Sequence, residues 1–155
     1  MNTTGRKTGE QNRMELCLPA ISINEGLARA AVSAFCAGLD PTATELADVK
    51  CAVSEAVTNC IVHAYRGQEP GDFYITATIS NEGMLRISVR DTGCGIADVE
   101  KAREPLFTTD PEGERSGMGF TVMENFMDSL CVHSEQGNGT VVVMTKCFGK
   151  EAREE

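Results

Sequence analysis

At 155 residues the chain is long enough to bury a real core and is most simply one domain. Hydrophobic residues at 41% and charged residues at 24% fit a globular fold, and no apolar run approaches the roughly 20 residues that span a bilayer. Fourteen basic against 23 acidic residues give a net charge of −9, which argues against a nucleic-acid surface built on clustered cations. The polar segment 1–13 lacks the apolar core of a signal peptide. It reads as a mobile tail, with the cytoplasm as the default address. Met14 to Leu18 alternates as a short strand ended near Pro19. Asn24 is a plausible N-cap for a helix over 25–39 with Leu27, Ala31, Ala34 and Phe35 facing inward. Thr42 and Glu45 have capping-box spacing and open a second helix. Its apolar positions Leu46, Val49, Val53, Val57, Cys60, Ile61 and Ala64 keep a three-to-four-residue period to Tyr65.

Segments 73–80 and 85–91 alternate as a hairpin, with Leu85, Ile87 and Val89 on one face. A short helical turn is expected within 96–104. From Pro105 to Ser116, turn formers, threonines and charges replace periodicity, as in a mobile loop. Helical spacing returns over 120–127, two strands follow at 130–135 and 140–147, and 149–155 is a charged tail. Strands joined by hairpins cannot form a parallel doubly wound sheet. The order predicts a single α+β domain over 14–148, with helices on one face of a mixed, mostly antiparallel sheet. Seven scattered cysteines, an odd number without Cys-x-x-Cys spacing, predict small buried hydrophobes rather than a disulfide framework or a zinc site.

Three short segments carry chemistry. Glu55 and Asn59 stand at i and i+4 and project from one face of the second helix. Magnesium takes hard oxygen ligands and retains waters, so an amide oxygen such as that of Asn59 can hold it together with phosphate. Glu55 is then free to orient or deprotonate a hydroxyl. Asp91-Thr92-Gly93-Cys94-Gly95 follows a strand. A carboxylate there can accept from the exocyclic amine of adenine, while Gly93 and Gly95 let a flat base lie against backbone. Gly117 and Gly119 open the third helix, whose N-terminal N–H groups suit phosphate, and Arg115 just upstream can reach a terminal phosphoryl group. Thr108 and Thr109 can donate to phosphate. In so acidic a chain the local positive potential must come from residues such as Arg103 and Arg115. The set outlines an ATP site without a Walker P-loop. Glu25 and Arg29 form an i, i+4 pair that marks the exposed side of the first helix. His63 and His133 lie in no dimerisation helix and read as structural or surface residues.

The trio Glu55 to Asn59, Asp91 to Gly95 and Arg115 to Gly119 resembles the N, G1 and G2 boxes of the Bergerat-fold ATPases and kinases, among them gyrase, Hsp90, histidine kinases and MutL. With Leu39-Asp40-Pro41, Pro105-Leu106-Phe107-Thr108-Thr109 and Met123-Glu124-Asn125-Phe126-Met127-Asp128, the chain over roughly 14–147 is most similar to the anti-sigma F factors of spore-forming bacteria. The resemblance implies a Bergerat-type two-layer sandwich and a homodimeric protein serine kinase using ATP/ADP and Mg2+. Such a protein inhibits a sporulation sigma factor and phosphorylates an anti-anti-sigma protein. It implies Asn59 as magnesium ligand, Glu55 as catalytic base and Asp91 as adenine reader. Gly95, Thr108, Thr109, Arg115, Ser116, Gly117 and Gly119 fall in the pocket and its lid, and Arg29 on a partner-docking helix. The catalytic domain of a histidine kinase, an ATPase of the same fold and a binding module with a dead pocket are the alternatives. They are opposed, respectively, by the missing phosphoacceptor helix, by a length not expected to hold a transducer domain, and by the presence of Glu55 with Asn59.

Overall fold

The computed structural model describes residues 9–104 and 119–149. In chain order the elements are β1 (Glu10–Pro19), α1 (Ile23–Cys36), a 3-10 turn (Ala37–Leu39), α2 (Ala43–Asn59) and a π-helical turn (Cys60–Ala64). There follow β2 (Asp72–Ser80), β3 (Met84–Asp91), α3 (Val99–Ala102), α4 (Gly119–Phe126), β4 (Ser129–Glu135) and β5 (Gly139–Cys147). The five strands form one sheet in the order β1-β2-β3-β5-β4. Every pairing is antiparallel, so the sheet is antiparallel throughout rather than mixed. After β4 the chain reverses through a tight turn and β5 inserts between β4 and β3, which leaves no parallel neighbour.

The period-2 pattern of the strands sends alternate residues to one face. Phe73, Ile75, Ala77 and Ile79 of β2, Leu85, Ile87 and Val89 of β3, and Val142 and Met144 of β5 are all buried there. They pack with Ala28, Val32 and Cys36 of α1, with Val49, Val53 and Val57 of α2, and with Phe120 and Met123 of α4 in one core cluster. This is the expected arrangement of a helical layer over one sheet face. Helix α2 lies between α1 and α4 and is therefore buried over a wide arc that includes Ala52, Ala56 and Thr58. The anticipated capping box is present: Thr42 Oγ1 accepts from Glu45 N at 3.1 Å, and Glu45 Oε1 accepts from Thr42 N at 3.0 Å.

Several local expectations are corrected. Residues 10–13 belong to β1, not to a tail, and pair with β2 from Glu10↔Ser80 onward. Backbone pairing and an ion cluster of Arg13 with Glu10 (3.2 Å) and Glu15 (2.7 Å) hold a stretch whose side chains show no hydrophobic alternation. Helix α1 starts at Ile23 after Ser22, and Asn24, expected as the cap, instead donates its Nδ2 to Pro19 O at 2.9 Å. Its inward stripe is Ala28, Val32 and Cys36, while Leu27 is 51% exposed. Two apolar stripes compete on this helix. The one with the smaller residue at 28 faces in, which lets α1 approach α2 closely. The cysteines are all free, but only Cys36 and Cys60 are buried; Cys17, Cys51, Cys94 and Cys131 are exposed. Three of these four lie on strand edges, the outer sheet face or a loop, which periodicity does not distinguish from core positions.

Candidate functional site

Glu55 and Asn59 lie in the last turns of α2, both half-buried. The face they share is partly covered, because α4 packs along it. A Cβ added to Gly119, the first residue of α4, would stand 3.2 Å from Glu55 Oε2 and 3.7 Å from both Asn59 Oδ1 and Asn59 Nδ2. The absent side chain at Gly119 thus keeps open the space in front of the carboxylate and the amide. Two of the three sequence segments converge here.

Beyond Asn59 the helix changes pitch, and residues 60–64 form a π-helical turn, a feature often found where helices carry function. Its end is docked on the loop after β3: Cys94 N donates to Ala64 O at 2.7 Å. Gly93 sits so close that a Cβ there would fall 2.0 Å from Ala64 O, and one on Gly95 (φ +75°) would fall 2.3 Å from Glu135 O. These glycines let chain pack on chain, joining α2, the loop and the β4–β5 turn, which is a demand independent of any base. Gly137 N donating to Cys94 O at 2.7 Å completes the clamp.

Asp91 ends β3 and is buried, between Phe73 of β2 and Thr140 of β5. Its Oδ1 accepts from Gly93 N at 3.0 Å, and its Oδ2 lies 3.7 Å from the thiol of Cys60. Burial raises its pKa above the ordinary carboxylate range. The N–H groups of Gly93 and Thr140, the Cys60 thiol and the Arg90 charge oppose that rise without cancelling it. The same contact ties the end of β3 to Cys60, the residue that follows Asn59 in the chain. Tyr65 fixes the following residue: its hydroxyl donates to Asp72 O at 2.5 Å and accepts from Thr92 N at 3.0 Å. Sequence reasoning passed over Cys60 and Tyr65, since both read as members of the apolar stripe of α2.

Arg103, one of the two candidate sources of positive potential, is paired with Glu124 of α4 at 3.6 Å. Arg115, Thr108, Thr109, Ser116 and Gly117 lie outside the described residues, as does the 105–116 loop. Among the described residues no group of three or more His, Cys, Asp or Glu could hold a metal. A magnesium ion at this site would take the Asn59 amide oxygen and otherwise phosphate and water, a donor set that suits its reluctance to dehydrate. Glu25 and Arg29 make the expected ion pair at 3.4 Å, but the pair is half-buried rather than on the exposed side of α1, and Glu25 Oε1 also accepts from Ser54 Oγ of α2 at 2.5 Å, next to Glu55. His133 is exposed on β4 beside Cys131, at 3.0 Å from its sulfur. No helix among the described residues is long and apolar enough to cross a membrane.

Residues 19–146 match the family model of the histidine kinase-like ATPase domain. The chain is 54% identical over 140 residues to the anti-sigma F factor of Halalkalibacterium halodurans, covering 90% of this chain and 95% of that protein. It is 57% identical over 135 residues to the anti-sigma F factor of Clostridium perfringens, covering 87% and 96%. Among solved structures, that of the RsbU and RsbW domains of a Mycobacterium tuberculosis protein superposes with a TM-score of 0.66 at 19% identity. It covers 89% of this chain and 33% of the other, and carries the fold alone. With an antiparallel sheet under a helical layer, the three glycine and carboxylate segments drawn together and these relatives, the chain belongs to the anti-sigma F factor family and is built on a histidine kinase-like ATPase domain.

Proposed function

We propose that the protein is an anti-sigma factor and an ATP-dependent protein serine kinase. In this reading it binds and inhibits a sporulation sigma factor and inactivates an anti-anti-sigma protein by phosphorylating it on serine, as a homodimer in the cytoplasm. The observation that carries the reading is the meeting of Glu55, Asn59 and Gly119, with Asp91 in contact with the next residue Cys60, in a chain 54% identical to an anti-sigma F factor.

When bound, ATP supplies the phosphoryl group and magnesium neutralises its charge. Asn59 offers its amide oxygen to the metal, and Asp91 accepts from the adenine amine. Glu55 takes the proton of the acceptor serine hydroxyl as that oxygen attacks, in the space that Gly119 leaves open. Gly119, with Thr108, Thr109, Ser116 and Gly117 by resemblance, lets the chain run close to the nucleotide, while Gly93 and Gly95 pack the loop beside it on Ala64 and Glu135. The same resemblance gives Arg115 a role in stabilising the transferred phosphoryl group. Ile23 and Leu27 are exposed on the side of α1 away from Glu25 and Arg29, and give that helix an apolar outer face for a partner. The Glu25–Ser54 bond ties α1 to the helix that carries the base.

The test is transfer of labelled phosphate from Mg-ATP to the anti-anti-sigma protein, with wild type and Glu55→Gln. General-base contributions run to about 10²–10⁴-fold, so Glu55→Gln should lose that much in rate while retaining nucleotide binding. Phosphate on an acceptor other than serine, or no transfer by the wild type, would overturn the kinase assignment.

A further inference from the structure

Two donors from different elements grip the carboxylate of Asp91. Gly93 N, in the loop after β3, holds Oδ1 at 3.0 Å, and the Cys60 thiol, at the start of the π-helical turn, points at Oδ2 from 3.7 Å. Cys60 is 3% exposed and Asp91 6%, so water does not substitute for either partner. Rotation of an aspartate carboxylate about its last torsion is soft and roughly two-fold. The N–H groups of Gly93 and Thr140 already act on this carboxylate, and the thiol on Oδ2 adds a restraint on that torsion from the helical layer.

The remaining lone pairs then have a fixed direction, which matters only to a ligand that must meet them. We propose that Cys60 is a positioning residue for base selection: its thiol, donating to Asp91 Oδ2, holds the carboxylate in the orientation that accepts from the exocyclic amine of an adenine nucleotide. The proposal rests on the reading of Asp91 as the adenine acceptor. Residue 60 directly follows the proposed magnesium ligand, so one helix end serves both the phosphate and the base end of the site.

The experiment is equilibrium binding of Mg-ADP and Mg-IDP to wild type, Cys60→Ala, Cys60→Ser and Asp91→Asn. IDP has the same phosphates and sugar but a carbonyl where adenine has its amine. The thiol is a weak donor, and a bond of about 1 kcal/mol net corresponds to about fivefold in affinity. Cys60→Ala should lose ADP affinity by about that factor, keep its IDP affinity, and so lose selectivity, while Cys60→Ser recovers the wild-type ADP:IDP ratio. Equal weakening for both nucleotides, an unchanged ADP:IDP ratio in Cys60→Ala, or no recovery in Cys60→Ser would overturn the proposal. The arms separate the two readings. Wild-type ADP binding by Asp91→Asn would mean that Asp91 does not read adenine at all. Loss of ADP in Asp91→Asn with an undisturbed Cys60→Ala would leave that reading standing and remove the thiol from it.

Discussion

Asp91 carries an electrostatic cost within the fold. It is a buried carboxylate whose N–H, thiol and charged neighbours do not fully compensate for lost water, and its pKa is raised for that reason. A raised value means that the folded protein holds the proton more tightly than the unfolded chain. Stability from that site is therefore fully present below the unfolded value and is lost as pH rises through the folded one. Asp91→Asn removes the titration and keeps an oxygen for Gly93 N. The stability difference between the two proteins should move in favour of Asp91→Asn as pH climbs from the ordinary carboxylate range through the raised value of Asp91, then level off. Denaturant titrations at a series of pH values measure it. A shift in favour of wild type would mean that the donors outweigh burial. At the same residue, adenine nucleotide binding should fall by about tenfold to a hundredfold, the worth of a hydrogen bond to a charged group. Glu55, Asn59 and Asp91 were legible in the sequence because acids and amides at fixed spacing stand out against an apolar pattern. Cys60 and Tyr65 were not. Their partners lie 31 and 27 residues away, and only the tertiary fold reveals that a stripe position faces a carboxylate or a loop amide.

The helix that carries the site is anchored at its start by more than a local motif. Glu45 closes the capping box with Oε1, and its Oε2 accepts from Gly149 N at 2.9 Å, so the carboxylate joins the first turn of α2 to the chain beyond β5. Burial alone would raise its pKa. The N–H groups of Thr42 and Gly149, the Thr42 hydroxyl and the Lys146 charge outweigh that and hold it below the usual value. Glu45→Ala leaves two N–H donors without this partner and should cost about 2 kcal/mol, more than the roughly 1 kcal/mol typical of a lost cap. Glu45→Gln should cost less near neutrality, and its deficit should shrink as pH falls through the depressed value, since the wild-type carboxylate then loses its advantage. Urea denaturation of both variants checks this, and a Glu45→Ala deficit no larger than that of Thr42→Ala would confine Glu45 to the local box. The box explains why the start of α2 was readable, whereas its π-helical end was not. One widened turn shifts the angular position of Ile61 and Val62 by less than the scatter of an apolar stripe. Helix α1 failed differently: two apolar stripes satisfied the same period, and only packing on α2 and the bond from Ser54 to Glu25 select Ala28, Val32 and Cys36 as the inner one.

At the scale of the molecule, the site is assembled from pieces that only the complete fold brings together. Asn59 comes from α2, Cys60 and Ala64 from the turn after it, Asp91 from β3, Cys94 from the loop beyond, and Gly119 from α4. The clamp of Cys94 on Ala64 and Gly137 ties that loop to the helical layer and to the β4–β5 turn. A ligand seated against all of these binds the folded state and has no counterpart in the unfolded chain, so its binding free energy adds to the stability of the whole domain. At a nucleotide concentration of about 100 times its dissociation constant the gain is about 2.7 kcal/mol. For a domain of this size that corresponds to a rise in Tm of about 5–10 °C. Calorimetry with Mg-ADP should show one transition moving upward as a unit, because no single element contains the site. Asn59→Ala should melt near the wild-type temperature without nucleotide and lose most of the rise obtained with Mg-ADP, while keeping more of the smaller rise obtained with ADP and chelator. A second, unshifted transition would show that part of the domain unfolds independently of the nucleotide. An undiminished rise in Asn59→Ala with Mg-ADP would remove Asn59 from the metal.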